Sequence, residues 1–382
     1  MRHVAVITGT RAEYGLLKPV LDKIQASDQL TLSLIVTGMH LSPEHGLTIR
    51  QIEQDGIPIA AKVDMLLSSD SSSAMAKGLG IGLYGITQEL ERLQPDILLI
   101  LGDRVEAFAG AIAGLFCGTV VGHLHGGEIT QGGLDEYMRH AITKLSHLHF
   151  TASEKARERV IRLGENPEYV FCVGAPGLDA LLQYPELENS TLEKELGTPL
   201  PSRFALIVQH PISTHPETAA DEIHATLQAV KEMGIPAILI YPNADAGSRK
   251  MRAVIQEFEL EHWLKTYINL PRILYINLLR RASVLLGNSS SGMLDSASFG
   301  VPTINIGERQ EGRERGSNVL DVPPQQNAIA QALQTALYDE TFIQKAKQAT
   351  NPYGDGKASE RIVQILTIID LNCHKEGKKL PW

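Results

Sequence analysis

The densest chemistry in the chain lies in three short strings, GDRVEA at 102–107, HLHGGE at 123–128 and LDEYMRHAITK at 134–144. Asp103 and Arg104 follow the apolar run ILLIL, so they stand where a buried strand ends, the place at which active-site groups collect in parallel sheets. His123 and His125 are two apart, and on a strand running through both they share a face. Glu128 follows a Gly-Gly turn, while Asp135 and Arg139 are four apart on one helical face. Carboxylates and imidazoles gathered in this way could supply a general acid and a general base. Three plainer readings stand beside that one. His-x-His with Glu is a possible zinc set, although no third-ligand spacing is evident. Asp135 and Arg139 could form a solvated pair worth only ~0.3–0.5 kcal/mol. Either histidine could be a hydrogen-bonded core residue.

Other strings suit an anion. GTRAEYG at 9–15 closes one strand and opens a helix, whose first N–H groups, with Arg11, suit a phosphate or diphosphate. GNSSSG at 287–292 lies between the strand-like SVLLGN and a helical stretch, which brings Ser289, Ser290 and Ser291 to a helix N-terminus. It lacks the GK[ST] ending of a P-loop and the GxSxG of a nucleophile elbow, so neither an ATPase nor a serine hydrolase is indicated. His210 ends a strand, Asn243 and Asp245 lie in YPNADAGS, and GERQEGRERG adds Arg309, Arg313 and Arg315, either an anion grip or a charged surface loop. A formal GxGxxG at Gly80, Gly82 and Gly85 follows a Ser-rich stretch, 68–73, instead of a strand. It reads as a flexible helix start after a loop.

The elements that must hold these groups alternate. VAVITG, LSLIVTG, ILLILGD, TVVGHLH, LHFTAS and YVFCVGA are apolar on both faces and are separated by amphipathic stretches such as 12–25 and 153–164. That pattern means a parallel sheet covered on both sides. The segment 183–203, rich in proline and charge, reads as an interdomain linker with a short helix. A second series follows with FALIVQH, AILIYPN, SVLLGN and VPTINIG, and a last helical pattern covers 358–370. The 382 residues suit two domains at roughly 150 residues each.

Thirty-five Lys and Arg against 44 Asp and Glu give a net charge of −9 with no basic run, which argues against nucleic acid as a partner. Cys117, Cys172 and Cys373 form no disulfide framework. The stretch from Ala107 to Gly122 falls short of the ~20 residues a bilayer needs and reads as a buried helix running into a buried strand. With no secretory apolar segment after the opening residues, a cytoplasmic protein without a membrane partner is expected.

Together with TGMHLSPEHG around His40 and NPYGDGKASERI at 351–362, these strings run in order along essentially the whole chain. They resemble the hydrolysing UDP-N-acetylglucosamine 2-epimerases, a family with bacterial members in sialic- and legionaminic-acid synthesis and the epimerase half of the bifunctional sialic-acid enzyme. The resemblance implies an α/β, glycosyltransferase-B-like fold of two Rossmann-like doubly wound domains with the active site in the cleft between them. Residues 1–180 would carry the catalytic carboxylates and 181–357 the UDP site, with a C-terminal helix at about 358–382 packing back on the first domain. It implies loss of UDP from a UDP-sugar through a glycal, then hydration to the free 2-epimer, ManNAc in the simplest case, with no cofactor and no metal.

Carried over position by position, the resemblance makes Asp103, His125, Glu128 and Asp135 the catalytic set. It places Arg11, His40, Arg104, Arg139, His210, Asn243, Ser289, Ser290, Asp295, Arg309 and Arg313 around the substrate. His125 stands where the bifunctional enzyme has the glutamate of HIEGGE, and Asp295 stands where it has a ribose-binding glutamate. A homodimer or homotetramer is implied as well. Relatives sharing the histidine take UDP-GlcNAc, a 4-acetamido-4,6-dideoxy UDP-sugar or a GDP-linked sugar. A non-hydrolysing epimerase, a glycosyltransferase of this fold and a nucleotide-sugar-binding regulator are the competing readings.

Overall fold

The structure is a computed structural model that describes residues 1–382 except 69–70, 130–133, 213–214, 243–246, 375–377 and 379–382. The chain forms two compact units, 1–182 with 353–382, and 183–352.

In the first unit, β1 (Arg2–Thr8), β2 (Leu30–Thr37), β3 (Ile59–Val63), β4 (Ile97–Leu101), β5 (Val120–Leu124), β6 (Leu148–Thr151) and β7 (Val170–Cys172) make a seven-stranded sheet. Its order is β3-β2-β1-β4-β5-β6-β7, and every pairing is parallel. The helices are α1 (Arg11–Gln25), α2 (Ile49–Gln54), α3 (Ser72–Leu93), α4 (Val105–Phe116), α5 (Leu134–Leu145), α6 (Glu154–Arg162) and α7 (Pro176–Gln183). Strand alternation divides the core: Val4 and Val6 pack with Leu17, Val20 and Leu21 of α1, while Ala5 and Ile7 face the alanine-rich side of α4. The strand order reverses between β1 and β4, which makes the crevice beyond their carboxyl ends the expected ligand position.

The second unit repeats the plan. Strands β8 (Ala205–Val208), β9 (Ala237–Ile240), β10 (Leu264–Tyr267), β11 (Val284–Gly287), β12 (Thr303–Ile306) and β13 (Val319–Val322) lie in the order β10-β9-β8-β11-β12-β13, all parallel. Around them are α8 (Asn189–Leu196), α9 (Ala219–Glu232), α10 (Ser248–Phe258), α11 (Arg272–Arg281), α12 (Ser291–Leu294), α13 (Gln326–Tyr338) and α14 (Glu340–Lys347).

The chain then returns to the first unit as α15 (Ala358–Ile368), which buries Ile362 and Leu366 in the α1 side of the core. No side chain of its own caps this helix. Asp179 of α7, 1% exposed, instead accepts the amides of Ala358 at 3.0 Å and Ser359 at 2.6 Å. Lys378 donates to the carbonyl of Thr143 at 3.1 Å and pairs with Glu165, which Lys144 and His149 also contact. Among the described residues no helix is long and apolar enough to cross a membrane.

Several expectations need correcting. The strands β3, β10 and β13 have no continuous apolar run, and all three are sheet edges, where one flank is uncovered and polar residues such as Lys62, Lys265 and Asp321 are admitted. The 183–203 segment is not a free linker. It is strapped to the second unit through Asn277, which accepts the Leu187 amide and donates to the Pro185 carbonyl, and through Arg281 to Leu187. The Gly80, Gly82 and Gly85 series lies inside α3, not at its start. Glycine lets the helix approach β3 and the residues after it, because a Cβ would come within 2.8 Å of Met65 at Gly82 and 2.6 Å of Val63 at Gly85. Of the Ser-rich stretch, Ser71 caps α3 and residues 72–73 belong to the helix, while 69–70 lie outside the described residues.

Candidate active site

At the carboxyl edge of the first sheet the two histidines part company. β5 ends at Leu124, and His125 turns into the left-handed region at φ 63°, its amide held by the carbonyl of Phe150 at 3.0 Å. The expected shared strand face is therefore not formed. His123 remains fully buried, with Nε2 2.7 Å from the Gly102 carbonyl and Nδ1 3.2 Å from the Thr143 hydroxyl. Burial pushes its pKa down to about 3, so it is a neutral core residue. His125 pairs through Nδ1 with Glu128, and among the described residues its buried Nε2 has no hydrogen-bond partner. Burial opposes its charged form, but the Glu128 carboxylate outweighs that and holds its pKa above the ordinary value.

Arg139 ties this cluster together. It is 4% exposed, forms an ion pair with Asp103, reaches Glu136 at 2.9 Å and donates to the Glu128 carbonyl at 2.7 Å. The helical pair expected with Asp135 is not made. Asp135 is exposed on the first turn of α5, and Arg139 uses Glu136, three residues back, because it points inward to Asp103. Arg139 thus positions a carboxylate and a turn, and Gly127, at φ 77° against the Ala156 carbonyl, lets that turn close. Glu136 lies in LDEYMRHAITK with nothing in its spacing to mark it.

Nearby, Arg11 is exposed on the first turn of α1, and Arg104 is half exposed at the start of α4. His40 is fully buried with both ring nitrogens engaged, Nε2 to Thr8 at 3.2 Å and Nδ1 to Thr48 at 2.7 Å, so it forms the wall of the crevice. Among the described residues no group of three His, Cys, Asp or Glu side chains could hold a metal ion.

In the second unit the end of β11 is built around Asn288. Gly287, at φ 124°, sits so close to the Val208 carbonyl that a side chain has no room. Asn288, fully buried, then accepts the His210 amide and donates to the His210 carbonyl, both at 2.8 Å. Its own carbonyl takes Arg309 at 3.1 Å and Gln310 at 2.9 Å. One asparagine therefore sets His210, the serine loop and Arg309 together, a role that no sequence signal marked.

The serine loop leads into a single helical turn, α12, too short to carry an extended dipole. Ser289 and Ser290 are partly exposed. Ser291 is buried between Tyr275, at 2.5 Å, and Asp295, at 2.6 Å, and Arg272 reaches Asp295 at 3.1 Å. Burial raises the Asp295 pKa despite the arginine. Arg313 is half-buried with no side-chain partner among the described residues, whereas Arg315 is paired with Asp321. Asn243 and Asp245 lie outside the described residues. A cavity of about 790 Å³ opens beyond β12 and β13, but Glu222, Glu308, Glu311 and Asp321 face it against Arg315 alone, so its charge disfavours a diphosphate.

Two doubly wound parallel sheets with arginines, serines and paired acid–imidazole groups at their strand ends define an α/β protein of the glycosyltransferase-B-like class. The likeness to the UDP-GlcNAc 2-epimerase of Neisseria meningitidis solved with UDP-GlcNAc bound supports that fold, with a TM-score of 0.79 at 20% identity over 96% of this chain and 99% of that one. Residues 22–367 match the family model for UDP-N-acetylglucosamine 2-epimerase. The chain is 39% identical over 372 residues, 97% of each protein, to the UDP-N,N'-diacetylbacillosamine 2-epimerase (hydrolyzing) of Legionella pneumophila. It is 35% identical over 380 residues, 99% of this chain and 97% of the relative, to the polysialic acid biosynthesis protein P7 of Escherichia coli. The chain belongs to the UDP-N-acetylglucosamine 2-epimerase family.

Proposed function

We propose that this protein is a hydrolysing 2-epimerase acting on a UDP-sugar. A base removes the proton on carbon 2, the bond from carbon 1 to the diphosphate oxygen breaks, UDP leaves, and a double bond forms between carbons 1 and 2. Water then adds its hydroxyl to carbon 1 while a proton returns to carbon 2 from the opposite face, releasing the free 2-epimer. A proton at carbon 2 is a poor acid, so the elimination needs a positioned base together with stabilisation of the leaving diphosphate.

The observation that carries this reading is the cluster of Asp103, Arg139, Glu128 and His125. With Nδ1–H directed to Glu128, His125 presents Nε2 as an acceptor, and the paired carboxylate stabilises the imidazolium that forms. Asp103, fixed by Arg139, and Asp135 complete the proton set. Arg11, Arg104, Ser289, Ser290, Arg309 and Arg313 receive the diphosphate, His210 lies beside it, and Asp295 meets the ribose.

UDP-GlcNAc, giving ManNAc, is the first donor. The Legionella relative, named for a diacetamido-trideoxy UDP-sugar, favours UDP-2,4-diacetamido-2,4,6-trideoxyglucose as the second. Incubating the protein in D₂O with each donor, and with GDP-GlcNAc, and following proton NMR tests this. Free 2-epimer deuterated at carbon 2, with released nucleoside diphosphate, is the expected result. Intact epimerised nucleotide sugar would make it a non-hydrolysing epimerase, and a bound but unchanged donor would leave a transferase or a regulator.

A further inference from the structure

Beneath Arg104 lies a pair of carboxyls that the reaction above does not use. Glu13, in the first turn of α1, and Glu106, in the first turn of α4, flank the point where the strand order reverses, and they are 6% and 2% exposed. Gly9 lies against both. Its amide donates to Glu13 Oε2 at 3.1 Å, and a Cβ on it would come within 2.6 Å of Glu106 Cγ. Gly38, at φ 58°, closes the other side, where a Cβ would fall 2.5 Å from Glu106 Oε1.

Arg104 faces the pair, with Nε 3.3 Å from Glu106 Oε2 and Nη2 3.4 Å from Oε1, the same Nη2 lying 3.8 Å from the Met39 sulfur. His40, on the turn after β2, is the remaining titratable neighbour, and burial pushes its pKa down, which favours the neutral ring. Among the described residues Glu106 Oε2 has no hydrogen bond. A second negative charge in a dry space beside one half-exposed guanidinium is costly, so Glu13 favours its neutral form. Burial first, and then the charge of Glu106, push Glu13 up to about 8.

We propose that Glu13 carries a proton at neutral pH, so that a single negative charge braces Arg104 and leaves its outer face cationic for an anion. Loss of that proton puts a second negative charge under Arg104 and weakens its grip. Both glutamates are positioning residues, and the inference rests on the reading of Arg104 as a contact to the diphosphate.

Calorimetric binding of UDP between pH 7 and 9.5, at low salt, tests it in the wild type, Glu13→Gln and Arg104→Ala. The wild type should lose about tenfold in affinity across the range. Glu13→Gln should keep the neutral-pH affinity without that slope, and Arg104→Ala should bind weakly at every pH. A wild type without the slope, or a Glu13→Gln variant that retains it, overturns the proposal.

Infrared spectra of protein carrying ¹³C-labelled glutamate give a reading that needs no ligand. A protonated carboxyl band should be present at pH 7, fade as the pH passes about 8, and be missing from Glu13→Gln. Its absence from the wild type at pH 7 also overturns the proposal. If no variant binds UDP while the band behaves as described, the assignment of Arg104 to the diphosphate fails and the carboxyl pair stands.

Discussion

His123 and His125 stand two positions apart and reach different environments, because one left-handed residue at the end of β5 turns the second ring toward Glu128. Sequence spacing puts both near a strand end but carries no information on that turn, since a histidine at positive φ is uncommon and unmarked. Replacing His125 with Gln should lower turnover ~10²–10⁴-fold with the circular dichroism spectrum unchanged. Replacing His123 with Gln should act on stability, by taking support from Gly102 and Thr143. Linkage gives a second check. The pKa of His125 is raised in the folded state, so its contribution to stability is fully present below its unfolded pKa and is lost as the pH rises through the folded value. Urea unfolding between pH 5.5 and 9 should show a steeper decline in the wild type than in Glu128→Gln. Glu13 follows the same sign over a different window, from its unfolded value of 4.5 to about 8.

At the scale of elements, the inner strands were legible because burial on both faces leaves an unbroken apolar run, and the edge strand β7 was legible too, whereas the edges β3, β10 and β13 were not because polar residues interrupt them. The glycines of α3 show what pattern alone misses. Gly80 is exposed with nothing near its missing side chain, so Gly80→Ala should stabilise the protein by ~0.5–1 kcal/mol through helix propensity. Gly85→Ala adds the same methyl group five residues on, against Val63, and should cost ~1–3 kcal/mol. Thermal melting of the two variants should therefore move in opposite directions. Gly287→Ala combines a forbidden backbone angle with a collision at Val208 and should cost ~3 kcal/mol or more. The same change should release the Asn288 clamp on His210, so weaker UDP binding is expected in whatever fraction folds.

For the whole molecule, the two series of strands in the sequence do describe two doubly wound units, but the first is built from both ends of the chain. The polar stretch before α15 gives no hint that Asp179, far away in sequence, caps that helix. Asp179→Ala removes a buried charged acceptor from two amides and should cost ~2–3 kcal/mol, read from denaturant midpoints. Deleting 353–382 uncovers the surface of α1 against which Ile362 and Leu366 pack, each worth roughly 1.5–3 kcal/mol. The truncated protein should bind a hydrophobic dye strongly, while the 183–352 segment expressed alone should still melt cooperatively.

This closure by a returning segment has a bearing on how the protein is made. The residues that leave the ribosome first belong to the unit that is finished last, because their covering helix is still unsynthesised. At ~5–20 residues per second, the 200 residues after position 182 take roughly 10–40 s to emerge. Throughout that interval the nascent chain carries an uncovered apolar seat on α1, while the contiguous second unit can finish as soon as its own last residue is free. Until residues 353–382 emerge, the nascent chain thus presents an apolar surface of the kind that sticks to other unfolded chains.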